Sequence, residues 1–193
     1  KKRFVFRPLK VHPLFHSYAN FSKKSIQPEG DTVTTNEVLE RLQNKFGVDG
    51  IVLDGTGTLE PFIIIPSSEV VPVCEFLRHD PDLAFDSLSC LSGVDHSSED
   101  DTMEIVYHFQ SMVHIHQVVI KAIVPKEDPR LSTVEHLWKG ANWHEREIYD
   151  LYGVVFDNHS DLRRILLPDD WEGYPMRKDY QEPDMYRGMK VPY

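Results

Sequence analysis

Met103-Glu-Ile-Val-Tyr-His-Phe109 and His114-Ile-His-Gln-Val-Val-Ile-Lys-Ala-Ile-Val124 are two apolar segments of strand length, and their place in the chain decides the fold. The longest apolar runs, Phe62–Ile65 and Val118–Ile120 with Ala122–Val124, are also strand-sized, far short of the roughly 20 apolar residues that cross a bilayer. Phe85–Leu91 supplies a third strand upstream. Val48–Asp54 and Leu59–Ile65, rich in β-branched residues and separated by Gly55-Thr-Gly57, read as a hairpin, and a helix over about Ser68–His79 follows Pro66. Before them, Thr34-Thr-Asn-Glu37 is a capping box, in which hydroxyl and carboxylate satisfy the exposed amides of a helix start. Val38, Leu39, Leu42 and Phe46 then recur at helical spacing up to Gly47. The order helix, hairpin, helix, three strands predicts an α+β fold, a mostly antiparallel sheet with helices packed on one face.

After Pro125 the character changes. Ser132-Thr-Val-Glu135 and Asn142-Trp-His-Glu145 both resemble capping boxes and predict two short helices, with Gly140 near the break and Gly153 ending the second. Beyond Phe156 periodicity ends: residues 157–193 hold Pro168, Pro175, Pro183 and Pro192 among aromatic and charged residues. Backbone ordering costs about 1–2 kcal/mol per residue, more than the contacts of a small domain are expected to offset over a long extended C-terminal tail. We therefore expect a partner-binding tail over 157–193, an α+β domain over 34–156, and a basic aromatic N-terminal arm over 1–33.

The arm stands apart in charge. Residues 1–33 hold seven Lys/Arg and two acids, a net +5; the remaining fourteen basic and twenty-nine acidic residues give −15, for −10 over the chain. Such a balance argues against nucleic acid as a partner, because phosphate contacts need a basic surface. Cys74 and Cys90 are too far apart for a CxxC pair, and a chain of this length needs no disulfide scaffold, so a reducing compartment is expected.

One stretch carries more information than any periodicity: Glu145-Arg-Glu-Ile-Tyr-Asp150-Leu-Tyr-Gly153, then His159, Leu162-Arg-Arg-Ile-Leu166, and Tyr174-Pro-Met-Arg-Lys-Asp-Tyr180. This pattern of EREXXDLXG, a spaced histidine, LRRIL and PXRKDY resembles the signature of the 30-kilodalton subunit family of respiratory complex I. The likeness is close from Pro125 to Tyr180 and rests on layout alone before it. Ser160 stands where the family more often has proline. The resemblance implies a cofactor-free structural subunit in the peripheral arm of a membrane-bound NADH:quinone oxidoreductase, supporting electron transfer to quinone coupled to proton translocation. Its partners would be the large 49-kilodalton-type quinone-site subunit and other peripheral-arm subunits, and FMN, iron–sulfur clusters, NADH and quinone would belong to the assembled complex. The location implied is the cytoplasmic face of a bacterial inner membrane, or the matrix side of the mitochondrial inner membrane or stromal side of a thylakoid. Glu145, Arg146, Glu147, Asp150, Arg163, Arg164, Trp171, Arg177, Lys178, Asp179 and Tyr180 are the expected partner-interface residues. On physical grounds alone, Arg146 and Asp150 are four apart and can pair on a solvated amphipathic helix. Guanidinium forks at 163, 164 and 177 suit carboxylates of a neighbour.

The chemistry of an independent redox enzyme is not legible. Two isolated cysteines do not make four thiolate ligands. Gly55-Thr-Gly57 lacks the third glycine of a dinucleotide fingerprint and there is no Walker lysine motif. No catalytic, cofactor-binding or metal residue is therefore expected. His114-Ile-His116 places two imidazoles on one strand face without third and fourth donors, and His144-Glu145 is followed by Ile148 where a zincin needs its second histidine. Two alternatives stay open. One is the equivalent subunit of a related membrane-bound hydrogenase or of a ferredoxin- or F420-linked quinone or phenazine reductase; the other is a metal hydrolase resting on the histidines.

Overall fold

The structure, a computed structural model, describes residues 32–55, 60–96 and 100–191. The basic arm lies outside the described residues except for Thr32 and Val33, as does most of the turn at Gly55-Thr-Gly57.

The first helix starts where the capping box predicts. Thr34 accepts from the Glu37 N–H, and the Glu37 carboxylate reaches back to the Thr34 N–H at 2.6 Å, opening α1 (Thr35–Phe46). Its apolar stripe buries Val38 and Leu42. The expected hairpin forms from β1 (Val52–Asp54) and β2 (Phe62–Ile65), and a 3-10 turn at Ser67–Glu69 leads into α2 (Val70–His79), which buries Val70, Val73, Cys74 and Leu77. The three expected strands are β3 (Ser87–Asp95), β4 (Thr102–Ser111) and β5 (His116–Pro125).

They build one five-stranded sheet in the order β1-β2-β5-β4-β3, antiparallel except where β2 runs parallel to β5. In the β4–β5 ladder Met103, Ile105, Tyr107 and Phe109 face Val124, Ala122, Ile120 and Val118, all buried. Because side chains alternate along a strand, these eight share one face. They form a single core with Val38 and Leu42 of α1, Val73 and Leu77 of α2, and Ile148 of α3 (Ala141–Tyr152). Burying each such side chain contributes about 1.5–3 kcal/mol, so this face carries the fold. On the opposite face the Lys121 ammonium lies 2.9 Å from Glu104 Oε1 and over the Phe62 ring.

The α3 segment departs from expectation. Residues 132–140 form no α-helix: β6 (Arg130–Ser132) pairs in parallel with β7 (Val155–Asp157), and the chain then turns into α3 from Gly140 without a side-chain cap. One helix replaces the two predicted, because the acidic ends of both apparent boxes, Glu135 and Glu145, are taken by contacts distant in sequence. A short hairpin of β8 (Met185–Tyr186) and β9 (Met189–Lys190) lies near the end of the tail.

Candidate partner interface

Helix α3 presents a buried charged face to the tail. Glu145 sits at its second turn and folds back onto the preceding turn, where Oε1 accepts the Val134 N–H at 2.8 Å and Oε2 accepts the Thr133 hydroxyl. Burial pushes its carboxyl up to about 7, against the pull of those hydrogen bonds. The His159 ring is wholly buried beside it. Its Nδ1 accepts the Asp161 N–H and its Nε2–H donates to the Asn142 carbonyl at 3.1 Å. Glu135 binds the other side of this turn through the Ser160 N–H at 2.7 Å, the Ser160 hydroxyl and the Asn142 amide. Burial raises its carboxyl, yet those donors outweigh it and hold the group below the ordinary carboxylate range.

One turn further, Arg146 and Asp150 face the same way, as their spacing predicts, but each takes its partners from the tail. Arg146 donates to the carbonyls of Arg163 at 3.2 Å and Arg164 at 3.1 Å. Asp150 Oδ2 accepts three successive backbone N–H groups, from Ile165, Leu166 and Leu167, at 3.1, 2.7 and 2.8 Å. Its Oδ1 lies 2.7 Å from Arg164, whose other nitrogen donates to the Trp171 and Gly173 carbonyls. Burial alone would raise the Asp150 carboxyl; this cage of donors outweighs it and holds the carboxyl below its ordinary value.

The helix end is tied down by the next stretch. Gly153 ends α3 in the left-handed conformation at φ 74°, and the Tyr174 ring lies so close that a β-carbon there would overlap it. The Arg164 and Arg177 guanidinium groups both lie over that ring. Arg177 also donates to the Tyr152 carbonyl at 2.6 Å, Met176 N–H to the Leu151 carbonyl at 3.1 Å, and Lys178 N–H to Asp95 at 2.8 Å. Lys126 pairs with Asp179 at 2.9 Å, and Trp171 donates to the Tyr180 hydroxyl at 3.1 Å. Hydrogen bonds to charged groups contribute about 1.5–3 kcal/mol each, so the domain supplies tail-ordering contacts that were not expected from composition.

Of the residues expected at an interface, the structure buries Glu145, Arg146 and Asp150 under the tail, half-buries Arg164, Trp171, Arg177 and Tyr180 in intrachain contacts, and exposes Glu147, Arg163, Lys178 and Asp179. Sequence reasoning missed four apolar side chains on the outside: Trp143 at 61% exposure, beside the Arg146 guanidinium, and Leu166, Met176 and Met185, each more than half exposed. A solitary Trp in a helix and scattered tail methionines give no periodic signal.

Residues 63–186 match the family model for the respiratory-chain NADH dehydrogenase, 30 Kd subunit. That range is more than half of the chain and contains α3 and the tail segments bound to it. The chain belongs to this family. The C-type subunit of the NADH-quinone oxidoreductase of Chloroherpeton thalassium is 44% identical over 154 residues, 79% of this chain and 63% of that protein. Its counterpart from Chlorobium phaeobacteroides is 39% identical over 153 residues, 79% of this chain and 92% of that one. Among solved structures, a trypsin-resistant fragment of Nqo5 superposes with a TM-score of 0.53 at 30% identity, over 65% of this chain and 99% of the fragment. A chain of an archaeal membrane-bound sulfane sulfur reductase reaches a TM-score of 0.59 at 21% identity, over 81% of this chain and 98% of that one, which shows a shared fold.

Within this family framework the α+β layout is the expected one. Among the described residues, no group of three or more His, Cys, Asp or Glu is arranged to hold a metal ion, and no helix is long and apolar enough to cross a membrane. Cys74 does not suit a cluster ligand: it is fully buried, and burial pushes its thiol well up, away from the thiolate a metal needs. The two histidines at 114 and 116 stack at 5.6 Å and spend their Nε2 atoms on the Pro81 and Leu83 carbonyls.

Proposed function

We propose that this chain is a structural, non-catalytic subunit of the peripheral arm of a membrane-bound NADH:quinone oxidoreductase, seated on a large 49-kilodalton-type subunit. FMN, iron–sulfur clusters and quinone are then held by other subunits, and the complex sits on the cytoplasmic face of a bacterial inner membrane, in keeping with bacterial relatives. The observation that carries the reading is the fixed tail. Arg146, Asp150 and Arg177 hold an aperiodic segment in place, and Leu166, Met176 and Met185 stand exposed on the same tail that exposes Arg163 and Lys178. Exposed apolar side chains on a segment that also exposes cationic ones are what an interface core and its rim require. In this proposal residues 157–193 supply the contact surface, and Glu145, Arg146 and Asp150 act from beneath by shaping it.

Co-expression with the large subunit provides the test. Leu166→Asp with Met176→Asp is expected to abolish co-purification while leaving circular dichroism and Tm of the free chain unchanged, because both side chains already face solvent. Full assembly and normal quinone reductase activity in that double variant would remove the tail from the interface.

A further inference from the structure

Three titratable side chains, whose proton chemistry that scaffold does not use, meet beneath the start of the tail. Glu145 comes from α3, Glu135 from the turn before it and His159 from the turn after β7. His159 Nε2 lies 3.6 Å from Glu135 Oε2 and 3.8 Å from Glu145 Oε2, and the side chains of His159 and Glu145 are wholly buried. Since Nδ1 accepts the Asp161 N–H, only the Nε2–H edge faces the two carboxylates, and that hydrogen points at the Asn142 carbonyl. Cys74 of α2 and Tyr107 of β4, both fully buried, are the titratable groups that bear on this site from the sheet side. The Tyr107 hydroxyl has no hydrogen-bond partner among the described residues. A wholly buried carboxylate with a second carboxylate nearby does not ionise without cost.

We propose that this cluster is a proton-operated latch: one proton held on the carboxylate pair keeps the His159 turn closed on α3, and its loss loosens Ser160–Leu167 from the helix. Glu145 carries the proton, because it is the deeper group and its carboxyl is raised to about 7, whereas Glu135 is held low by its donors. Opening the turn returns Glu145 toward its ordinary 4.5 and releases the proton. The open form is therefore favoured as pH rises, by nearly tenfold per pH unit between roughly pH 5 and 6 and less steeply to a plateau above about 7. The latch belongs to the chain by itself and does not depend on any partner.

Amide hydrogen exchange of the full 193-residue chain tests it, with rates corrected for intrinsic base catalysis. Opening at Asp161 and Ile165–Leu167 is expected to increase about 40-fold from pH 5 to 7 in the wild type and to be pH-independent in Glu145→Gln. A merely structural Glu145 would change the opening constant but leave its pH slope intact, and an unchanged slope in the variant overturns the latch. Carboxyl carbon NMR on the wild type decides independently of whether the variant folds. A Glu145 midpoint near 7 supports the proposal, and one near 4.5 overturns it.

Discussion

Asp150 is a buried side chain whose partners all come from one short loop, three backbone N–H groups and the Arg164 guanidinium. Asp150→Asn keeps the volume but removes the charge and turns an acceptor into a donor facing other donors. Breaking a buried charge-assisted cage from one side costs on the order of 3 kcal/mol, far above the 0–1 of an exposed pair. Chemical denaturation is expected to register that loss, with faster exchange at Ile165–Leu167; a variant within 0.5 kcal/mol of wild type would mean the cage is solvated. Gly153 is a second point of rigidity. It combines a positive φ with the Tyr174 ring against its α-carbon, so Gly153→Ala meets both backbone strain and a clash. Its expected cost is about 2–4 kcal/mol, read as a lower Tm. Tyr174→Ala in the same background should relieve the clash and recover part of it.

At the scale of elements, legibility in the sequence followed the distance over which each element finds its partners. Helix α1 was readable because Thr34, Glu37, Val38 and Leu42 signal within two turns, and β4 and β5 because their apolar runs are long. The segment 132–140 reads as a helix because Glu135 mimics a local cap, whereas its carboxylate bonds to Ser160. The spacing of Arg146 and Asp150 correctly placed them on one face. Their real partners, main-chain carbonyls and amides of residues 163–167, leave no trace in side-chain type. For the same reason the tail looked unsupported by its own domain. Deleting residues 158–193 strips partners from Glu135, Arg146 and Asp150 at once, so the truncated chain is expected to lose 3 kcal/mol or more, about 10 °C in a domain of this size. A truncation that melts with the intact chain would return the tail to an appendage.

For the whole molecule, two buried carboxylates one turn and a half apart pull the pH dependence of stability in opposite directions. Asp150 is held below its ordinary value by its cage, so its contribution is present above the unfolded-state value of about 4 and is lost as pH falls through the lower folded value. Glu145 is raised from 4.5 to about 7, so its contribution is fully present below 4.5 and declines as pH rises to about 7. The two windows overlap near pH 4–5, well below neutrality. Many domains gain or hold stability toward pH 7 because their carboxylates are all favourably paired; here an acid buried beside Glu135 and His159 reverses that trend. Thermal or denaturant unfolding across pH 4 to 8 is expected to show maximal stability near pH 5 and a decline of about 2 kcal/mol by pH 7.5, most of the equivalent of a shift from 4.5 to about 7. In Glu145→Gln that decline should vanish while the acid-side loss from Asp150 remains. Asp150→Asn should show the converse, an intact neutral decline and a shallower acid side, whose remainder comes from carboxylates such as Glu135 that their donors also hold low. A wild-type profile that climbs steadily to pH 7.5 would mean that Glu145 is ionised in the folded chain, and the buried face of α3 would then hold two negative charges beside Arg146 rather than one.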